Sequence, residues 1–119
     1  MPCSVLVVDD DCAFRHLAAR VLTEWGHVVV GEAGNVAEAL ERAAEVRPEA
    51  ALVDVGLPDG NGFALAERLL ALPWALRVVL ISADVDSAGV RAAHEVGARG
   101  FLAKEHLSSE ALRQLLENG

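Results

Sequence analysis

Five short apolar runs alternate with five amphipathic stretches along this chain of 119 residues, and this alternation limits the possible folds strongly. The runs are rich in Val, Leu and Ile and are mostly continuous, as in strands that are buried on both faces. They cover residues 5–8, 27–30, 50–53, 77–82 and 100–103. Such alternation predicts a doubly wound α/β domain, with a parallel sheet, right-handed crossovers and helices on both faces.

Local signals predict where several of these elements begin and end. Asn35, with Glu38 three residues later, predicts an N-cap and a capping box at the second helix. Ser87 and Ser108 are predicted to cap the fourth and fifth helices. Gly31 is predicted to end the second strand.

Length and charge narrow the class of protein. The chain suits a single domain over residues 1–119, with no output domain expected. Its net charge of −8, from 10 Lys and Arg against 18 Asp and Glu, disfavours direct binding to nucleic acid. No apolar stretch reaches the roughly 18 residues that span a membrane, and the start lacks a secretory pattern. We therefore expect a cytoplasmic protein without membrane association.

Polar side chains follow four of the five predicted strands at the point where each strand ends. They comprise three carboxylates, a hydroxyl and an amine, namely Asp9 and Asp10 after the first strand, Asp54 after the third, Ser82 after the fourth and Lys104 after the fifth. Because parallel strands end at one edge of a sheet, we expect these groups to lie together. Open α/β sheets bind their ligands at that edge.

The expected charge at this edge indicates its chemistry. Two carboxylates about 4 Å apart repel by roughly 4 kcal/mol at an effective dielectric constant of 20, so a proton or a divalent cation must relieve them. A site of oxygen ligands with room for water suits Mg²⁺. Asp54 would then act as a nucleophile that forms an aspartyl phosphate. Ser82 and Lys104 would contact the phosphoryl oxygens.

Four segments, in this order and at this spacing, resemble the receiver domains of two-component response regulators. They are residues 7–11 (VVDDD), 54–62 (DVGLPDGNG), 80–83 (LISA) and 97–104 (GARGFLAK). The resemblance covers essentially the whole chain and implies a flavodoxin-like (βα)5 fold with strand order 2-1-3-4-5. It also implies a phospho-accepting domain that receives its phosphoryl group from a sensor histidine kinase or a phosphotransfer protein. Such a domain catalyses its own phosphorylation but turns over no metabolite, so we do not expect an enzyme.

The same resemblance implies a role for each matching residue. The implied roles are Mg²⁺ ligation by Asp9, Asp10, Asp54 and the backbone carbonyl of Gly56, phosphoryl acceptance by Asp54, phosphate contact by Lys104, and switching by Ser82 and Phe101. For Phe101, simple packing of an aromatic ring in the last strand remains the alternative.

Partners and outputs also follow from the resemblance. Phosphorylation is expected to change the face formed by the fourth helix, the fifth strand and the fifth helix. A downstream protein, a missing output domain or a second copy of the chain would bind there. Two alternatives stay open: a receiver-like scaffold that binds a partner without phosphorylation, and the N-terminal fragment of a DNA-binding transcriptional regulator. A phosphohydrolase of this topology is disfavoured because Gly56 stands where such enzymes need a second acid.

The chain departs from the common receiver pattern at two positions. Glu105 follows the lysine of the fifth strand where proline is frequent. A non-proline cis bond costs about 2.5–4 kcal/mol, so we predict a trans bond. Gly56 lies two residues after the acceptor and leaves the phosphoryl group uncovered, which predicts a short-lived phosphorylated form. Asp11 is predicted to cap the first helix, and Asp59 to serve its own turn.

Overall fold

The computed structural model describes residues 3–117 and places the five predicted strands in one sheet. The strands are β1 (Ser4–Val8), β2 (Val28–Ala33), β3 (Ala50–Asp54), β4 (Arg77–Ser82) and β5 (Gly100–Ala103). Neighbouring strands pair in the order β2-β1-β3-β4-β5, and every pair is parallel. The predicted flavodoxin-like topology is therefore confirmed.

Five α-helices cover the two faces of this sheet. They are α1 (Cys12–Glu24), α2 (Val36–Val46), α3 (Gly62–Leu70), α4 (Ser87–Val96) and α5 (Glu110–Glu117). Because successive strand residues point to opposite faces, Val5 and Val7 join a core with α1 and α5, whereas Leu6 and Val8 join a core with α2, α3 and α4. This burial on both faces explains why the strand runs are continuous and not alternating.

The second strand begins later and runs further than predicted. The prediction placed it at residues 27–30 and ended it at Gly31, but β2 continues to Ala33. Gly31 pairs with Leu6, so the hydrogen bonds to β1 outweigh the weak strand propensity of glycine. His27 precedes the strand and is buried.

Two helix caps lie one residue away from their predicted positions. Asp86, and not Ser87, caps α4, since its Oδ1 accepts a hydrogen bond from the backbone N–H three residues on, at 2.7 Å. The prediction of Ser108 for α5 is also wrong, because Ser109 Oγ accepts from the N–H three residues on, at 3.3 Å. Asp and Ser cap about equally well, so the sequence does not rank such neighbours.

Other local predictions are confirmed. Asn35 caps α2 by accepting from the Glu38 N–H at 2.8 Å, and Glu38 Oε1 accepts from the Gly34 N–H at the same distance. Asp11 caps α1. No cis peptide bond occurs within residues 3–117, so the bond before Glu105 is trans. In that same range, no helix combines the length and the apolar character needed to cross a membrane.

A small antiparallel hairpin, formed by Gly56–Leu57 and Gly60–Asn61, connects β3 to α3. Directly after it, the chain passes very close to the end of β3. A Cβ built on Gly62 would lie 2.4 Å from the carbonyl oxygen of Asp54, so only glycine fits this approach. The hairpin is thereby kept beside the carboxyl end of β3.

Candidate functional site

Asp9 directly follows β1 and is fully buried. Its Oδ1 accepts a hydrogen bond from the Asp11 N–H at 2.9 Å, and its Oδ2 lies 2.7 Å from the Lys104 ammonium. Burial raises the pKa of Asp9, and the contact with Lys104 offsets only part of that increase. The charged form of Asp9 is therefore destabilised, and a further cation would stabilise it.

Asp54 is the last residue of β3, the strand that pairs with β1, and its exposed fraction is 6%. Its Oδ1 accepts a hydrogen bond from the Gly56 N–H at 3.2 Å. Its Oδ2 lies 3.2 Å from the Lys104 ammonium that also contacts Asp9. The predicted meeting of these strand ends is therefore observed for all three side chains.

Lys104 follows β5 and starts a short 3-10 helix, Lys104–His106. Its ammonium also lies 4.7 Å from the centroid of the Phe14 ring. Burial alone would lower the pKa of Lys104, but its hydrogen bonds to Asp9 and Asp54 outweigh burial and raise the pKa above its ordinary value. The group is therefore a permanent cation at neutral pH, placed between two carboxylates.

Asp10 adds a third carboxylate to this edge of the sheet. One carboxylate oxygen each from Asp9, Asp10 and Asp54 lies within 4.8 Å of the other two, and Asp10 is exposed to solvent. Within residues 3–117, no other group of three or more His, Cys, Asp or Glu residues converges in this way. Hard oxygen donors on one side and open solvent on the other suit Mg²⁺, which keeps several waters. The donor set therefore fits that ion.

Gly56 lies in the hairpin and is exposed. Because its N–H donates to Asp54, the peptide that carries it lies beside the carboxylate. A Cβ built on Gly56 would meet no atom within 4 Å. The space around this residue is therefore open, and ligation of a metal by its carbonyl stays a prediction.

Ser82 ends β4 next to the site. It pairs with Ala103 of β5, the residue before Lys104. Its Oγ accepts a hydrogen bond from the Asp84 N–H at 3.3 Å. The hydroxyl is thus held by its own loop, and its contact with a phosphoryl group stays a prediction.

Phe101, in β5, is half-buried between two helices. Its ring meets that of Phe63 in α3 edge to face, with the centroids 5.8 Å apart. It also packs against Gly89 of α4, where a Cβ would lie 2.3 Å from the ring atom Cε2. Phe101 therefore packs against both helices, and its action as a switch stays a prediction.

Arg15 of α1 contacts the site but was not predicted from the sequence. One of its guanidinium nitrogens, Nη1, donates to the backbone carbonyl of Asp9, and Nε donates to Glu32 Oε1 at 3.2 Å. The sequence predicts only that Arg15 lies on the polar side of its helix. Its contact with Asp9 connects α1 to the backbone of residues 9–11, the run of aspartates between β1 and α1.

Asp59 lies in the turn of the hairpin, as predicted, but its side chain also contacts α2. Its Oδ1 accepts a hydrogen bond from the Val36 N–H at 2.7 Å, and its Oδ2 accepts from the Ala37 N–H at 3.1 Å. These bonds, led by that from Val36, lower the pKa of Asp59. Asp59 and Val36 are 23 residues apart, so no local signal could have identified the contact.

Known proteins resemble the chain over nearly its whole length. A family model described as response regulator receiver domain matches residues 5–117. The chemotaxis protein CheY of Thermotoga maritima is 30% identical over 111 residues, which cover 93% of this chain and 92% of that protein. The signal receiver domain of NarL from Mycobacterium tuberculosis has a TM-score of 0.84 at 35% identity, with 98% of each chain covered.

A third relative has been solved with a modified side chain. It is a response regulator from Burkholderia pseudomallei with a phosphorylated aspartic acid, calcium ion and citrate. Its TM-score is 0.85 at 30% identity, covering 96% of this chain and 66% of that one. Some curated relatives are longer, and the chain spans 52% and 42% of two that are described as a transcriptional regulator and a transcriptional activator.

Proposed function

The chain belongs to the family of response regulator receiver domains, and we propose that it is a Mg²⁺-dependent phospho-accepting switch. A sensor histidine kinase or a phosphotransfer protein would donate the phosphoryl group to Asp54. The observation that carries the proposal is the contact of one ammonium, Lys104, with Asp9 and Asp54 beside a third carboxylate. Buried charges that are not balanced cost stability, so this arrangement is better explained by binding than by folding.

The proposed reaction is a phosphoryl transfer from nitrogen to oxygen. A carboxylate oxygen of Asp54 bonds to phosphorus while the bond between phosphorus and the donor imidazole nitrogen breaks. The imidazole keeps the electron pair of that bond and takes a proton from water, and the product is an aspartyl phosphate. Lys104, already 3.2 Å from Asp54 Oδ2, would offset charge on the phosphoryl oxygens. Later hydrolysis would restore the carboxylate and release inorganic phosphate.

Asp9, Asp10, Asp54 and the carbonyl of Gly56 would hold the Mg²⁺ ion. When bound, the ion supplies positive charge that reduces repulsion between the carboxylates and the incoming phosphoryl group. The raised pKa of Asp9 supports this assignment, because a buried carboxylate gains from a nearby cation. The Burkholderia relative, with its phosphorylated aspartic acid and calcium ion, also supports it.

The proposed response is a shift between two packings of the same domain. The Ser82 hydroxyl would turn to the phosphoryl group and give up its hydrogen bond from Asp84. Phe101 would then move into the space that Ser82 leaves. Because Phe101 packs against α4, this movement would alter the face formed by α4, β5 and α5. A downstream protein, an output domain or a second copy of the chain would bind that face.

Two kinds of output fit the relatives. The match to 92% of CheY favours a receiver that acts through a separate protein. The match to about half of longer transcriptional regulators favours a receiver joined to a DNA-binding segment. A scaffold that binds its partner without phosphorylation is the remaining alternative.

Incubation with Mg²⁺ and acetyl phosphate tests the phosphoryl transfer. We expect the intact mass to increase by one phosphoryl group, and we expect no increase with Asp54→Asn or in the presence of EDTA. An unmodified wild-type protein would contradict the proposal and favour the scaffold. An equal adduct on Asp54→Asn would contradict the choice of acceptor.

A further inference from the structure

The hairpin after Asp54 is tied to α2 by the carboxylate of Asp59. Asp59 lies between the two short strands of the hairpin, Gly56–Leu57 and Gly60–Asn61. As described above, its two oxygens accept the N–H groups of Val36 and Ala37. One end of the contact is thus in the loop that follows the acceptor, and the other is in the first turn of a helix.

Asp59 completes the amino end of α2. The first N–H groups of a helix have no partner within the helix. Asn35 accepts the N–H of Glu38, and Asp59 accepts the two N–H groups before it. A carboxylate at this end is also favoured by the helix dipole. The contact therefore satisfies donors that no other described residue accepts.

The rest of the hairpin is attached to other parts of the molecule. Asn61 caps α3 by accepting the Ala64 N–H at 2.8 Å, and Leu57 is buried in the core. Toward α2, Gly60 packs on Val36, where a Cβ would lie 3.1 Å from the valine Cγ2. Leu57 also shares its core cluster with Ala39 and Ala43 of α2. The hydrogen bonds of Asp59 add directional polar contacts to these apolar ones, and they join the hairpin to the first turn of α2.

We propose that Asp59 is a positioning residue that fixes the hairpin, and with it the Gly56 carbonyl, for Mg²⁺ binding. The inference rests on the proposed Mg²⁺ site and adds a link from that site to α2. Because such coupling is reciprocal, Mg²⁺ binding also stabilises the first turn of α2. Two-residue strands leave little chain in which a shift at Asp59 could be absorbed before Gly56.

The effect of Asp59 on Mg²⁺ affinity is measured by titration with MgCl₂ at constant ionic strength, with NMR as the readout. Asp59→Ala is expected to weaken Mg²⁺ binding about tenfold, as when outer partners of metal ligands are removed. Asp59→Asn is expected to fall between it and the wild type, because an amide oxygen replaces only one of the two acceptors.

The effect of Mg²⁺ on the first turn of α2 is measured by amide hydrogen exchange in the unphosphorylated protein. Saturating Mg²⁺ is expected to slow exchange at Val36 and Ala37 in the wild type. The factor should be comparable to the loss of Mg²⁺ affinity that Asp59→Ala causes. In Asp59→Ala this slowing is expected to disappear. Equal slowing in that variant would overturn the inference.

Two control variants separate positioning from charge and from helix capping. Glu38→Gln removes a negative charge from the same end of α2 and leaves the Asp59 contacts in place. Asp86→Ala removes an aspartate cap from α4. Both are expected to bind Mg²⁺ within about twofold of the wild type, a change well below the tenfold effect expected of outer metal-site partners.

The outcomes distinguish this inference from the proposed function. A wild-type protein that does not bind Mg²⁺ would overturn both. A wild type that binds, with unchanged affinity in both Asp59 variants, would overturn the inference alone. If Glu38→Gln weakens binding as much as Asp59→Ala, charge explains the effect and the positioning role is overturned. If Asp59→Ala fails to fold, Asp59→Asn decides by the same criteria.

Discussion

Buried polar side chains at the two ends of the sheet differ in how far their charges are balanced by neighbouring groups. At the carboxyl ends of the strands, Asp9 and Asp54 share a single ammonium, and Asp10 adds further negative charge. At the amino ends, His27 is equally shielded, with an exposed fraction of 3%, but its Nδ1 accepts a backbone hydrogen bond and its Nε2 lies near one carboxylate that has an arginine of its own. At the carboxyl end, two buried carboxylates share one ammonium and a third is exposed to solvent, whereas at the amino end a single buried imidazole has contacts of its own.

The amino end connects the sheet to the last helix. His27 Nδ1 accepts the Cys3 N–H at 3.1 Å, and its Nε2 lies 3.4 Å from Glu117 Oε2 in α5. Arg113 donates to the same carboxylate at 2.9 Å and lowers the pKa of Glu117. The contacts of His27 join segments that are far apart in the sequence, so they serve the fold, whereas the bond from Arg113 lies within α5.

This difference indicates that the excess negative charge at the carboxyl end of the sheet lowers the stability of the fold. A buried polar group with a partner is tolerated or stabilising, whereas a shared or unbalanced charge costs free energy. Proteins commonly give up stability in this way at functional sites. Substitutions at the two ends should therefore change stability with opposite signs.

The largest expected effect is at the amino end. His27→Ala removes a buried side chain and leaves the Cys3 N–H without its acceptor. We expect the free energy of unfolding to fall by about 2–3 kcal/mol, the combined cost of a lost core side chain and an unpaired donor. Urea unfolding measures this, with the exposed His16→Ala as control at a change within about 0.5 kcal/mol. Equal changes in the two variants would remove the contrast between the ends.

At the carboxyl end we expect the opposite sign. Because burial raises the pKa of Asp9, its carboxylate is charged at a cost when no metal is bound. Asp9→Asn, compared with wild type in EDTA at neutral pH, is expected to raise the free energy of unfolding by about 0.5–2 kcal/mol. The exposed Asp10→Asn is expected to change it less. Added Mg²⁺ should stabilise the wild type more than Asp9→Asn, and destabilisation of Asp9→Asn in EDTA would contradict the comparison.

The smallest expected effect concerns the openness of the carboxyl end. Gly56→Asn places a side chain in space that is empty of other atoms, beside the acceptor. We expect it to exclude water and to lengthen the life of the phosphorylated form about threefold, which corresponds to roughly 0.7 kcal/mol in the barrier. The loss of the adduct after removal of the donor, followed by intact mass, measures this. Gly56→Ala is the control, and an unchanged lifetime in Gly56→Asn would count against the hypothesis.

The fold and the acidic site could be predicted because both depend on short-range patterns. Continuous apolar runs identify buried parallel strands, and parallel strands bring their carboxyl ends to one edge. Asp9, Asp54 and Lys104 therefore meet as predicted. Where a prediction failed at a cap, as at Ser87, the adjacent residue Asp86 caps about equally well, so local propensity does not decide between the two.

What could not be predicted depends on contacts between distant segments. The sequence around Asp59 predicts only a turn residue. Its side chain caps α2 as well because the fold brings that helix next to the hairpin. Arg15 reads as part of a solvated helix face, yet its guanidinium reaches the backbone of Asp9. The extension of β2 beyond Gly31 likewise depends on pairing with β1 and not on local propensity.

The most direct test of the charged end is to locate the phosphoryl group. The protein is incubated with Mg²⁺ and acetyl phosphate, and then treated with borohydride, which reduces an acyl phosphate to an alcohol. Peptide mass spectrometry is expected to find homoserine at the position of Asp54 only when both Mg²⁺ and donor are present. Homoserine at Asp9, Asp10 or another carboxylate in place of Asp54, or at no residue, would contradict the assignment of Asp54 as the acceptor.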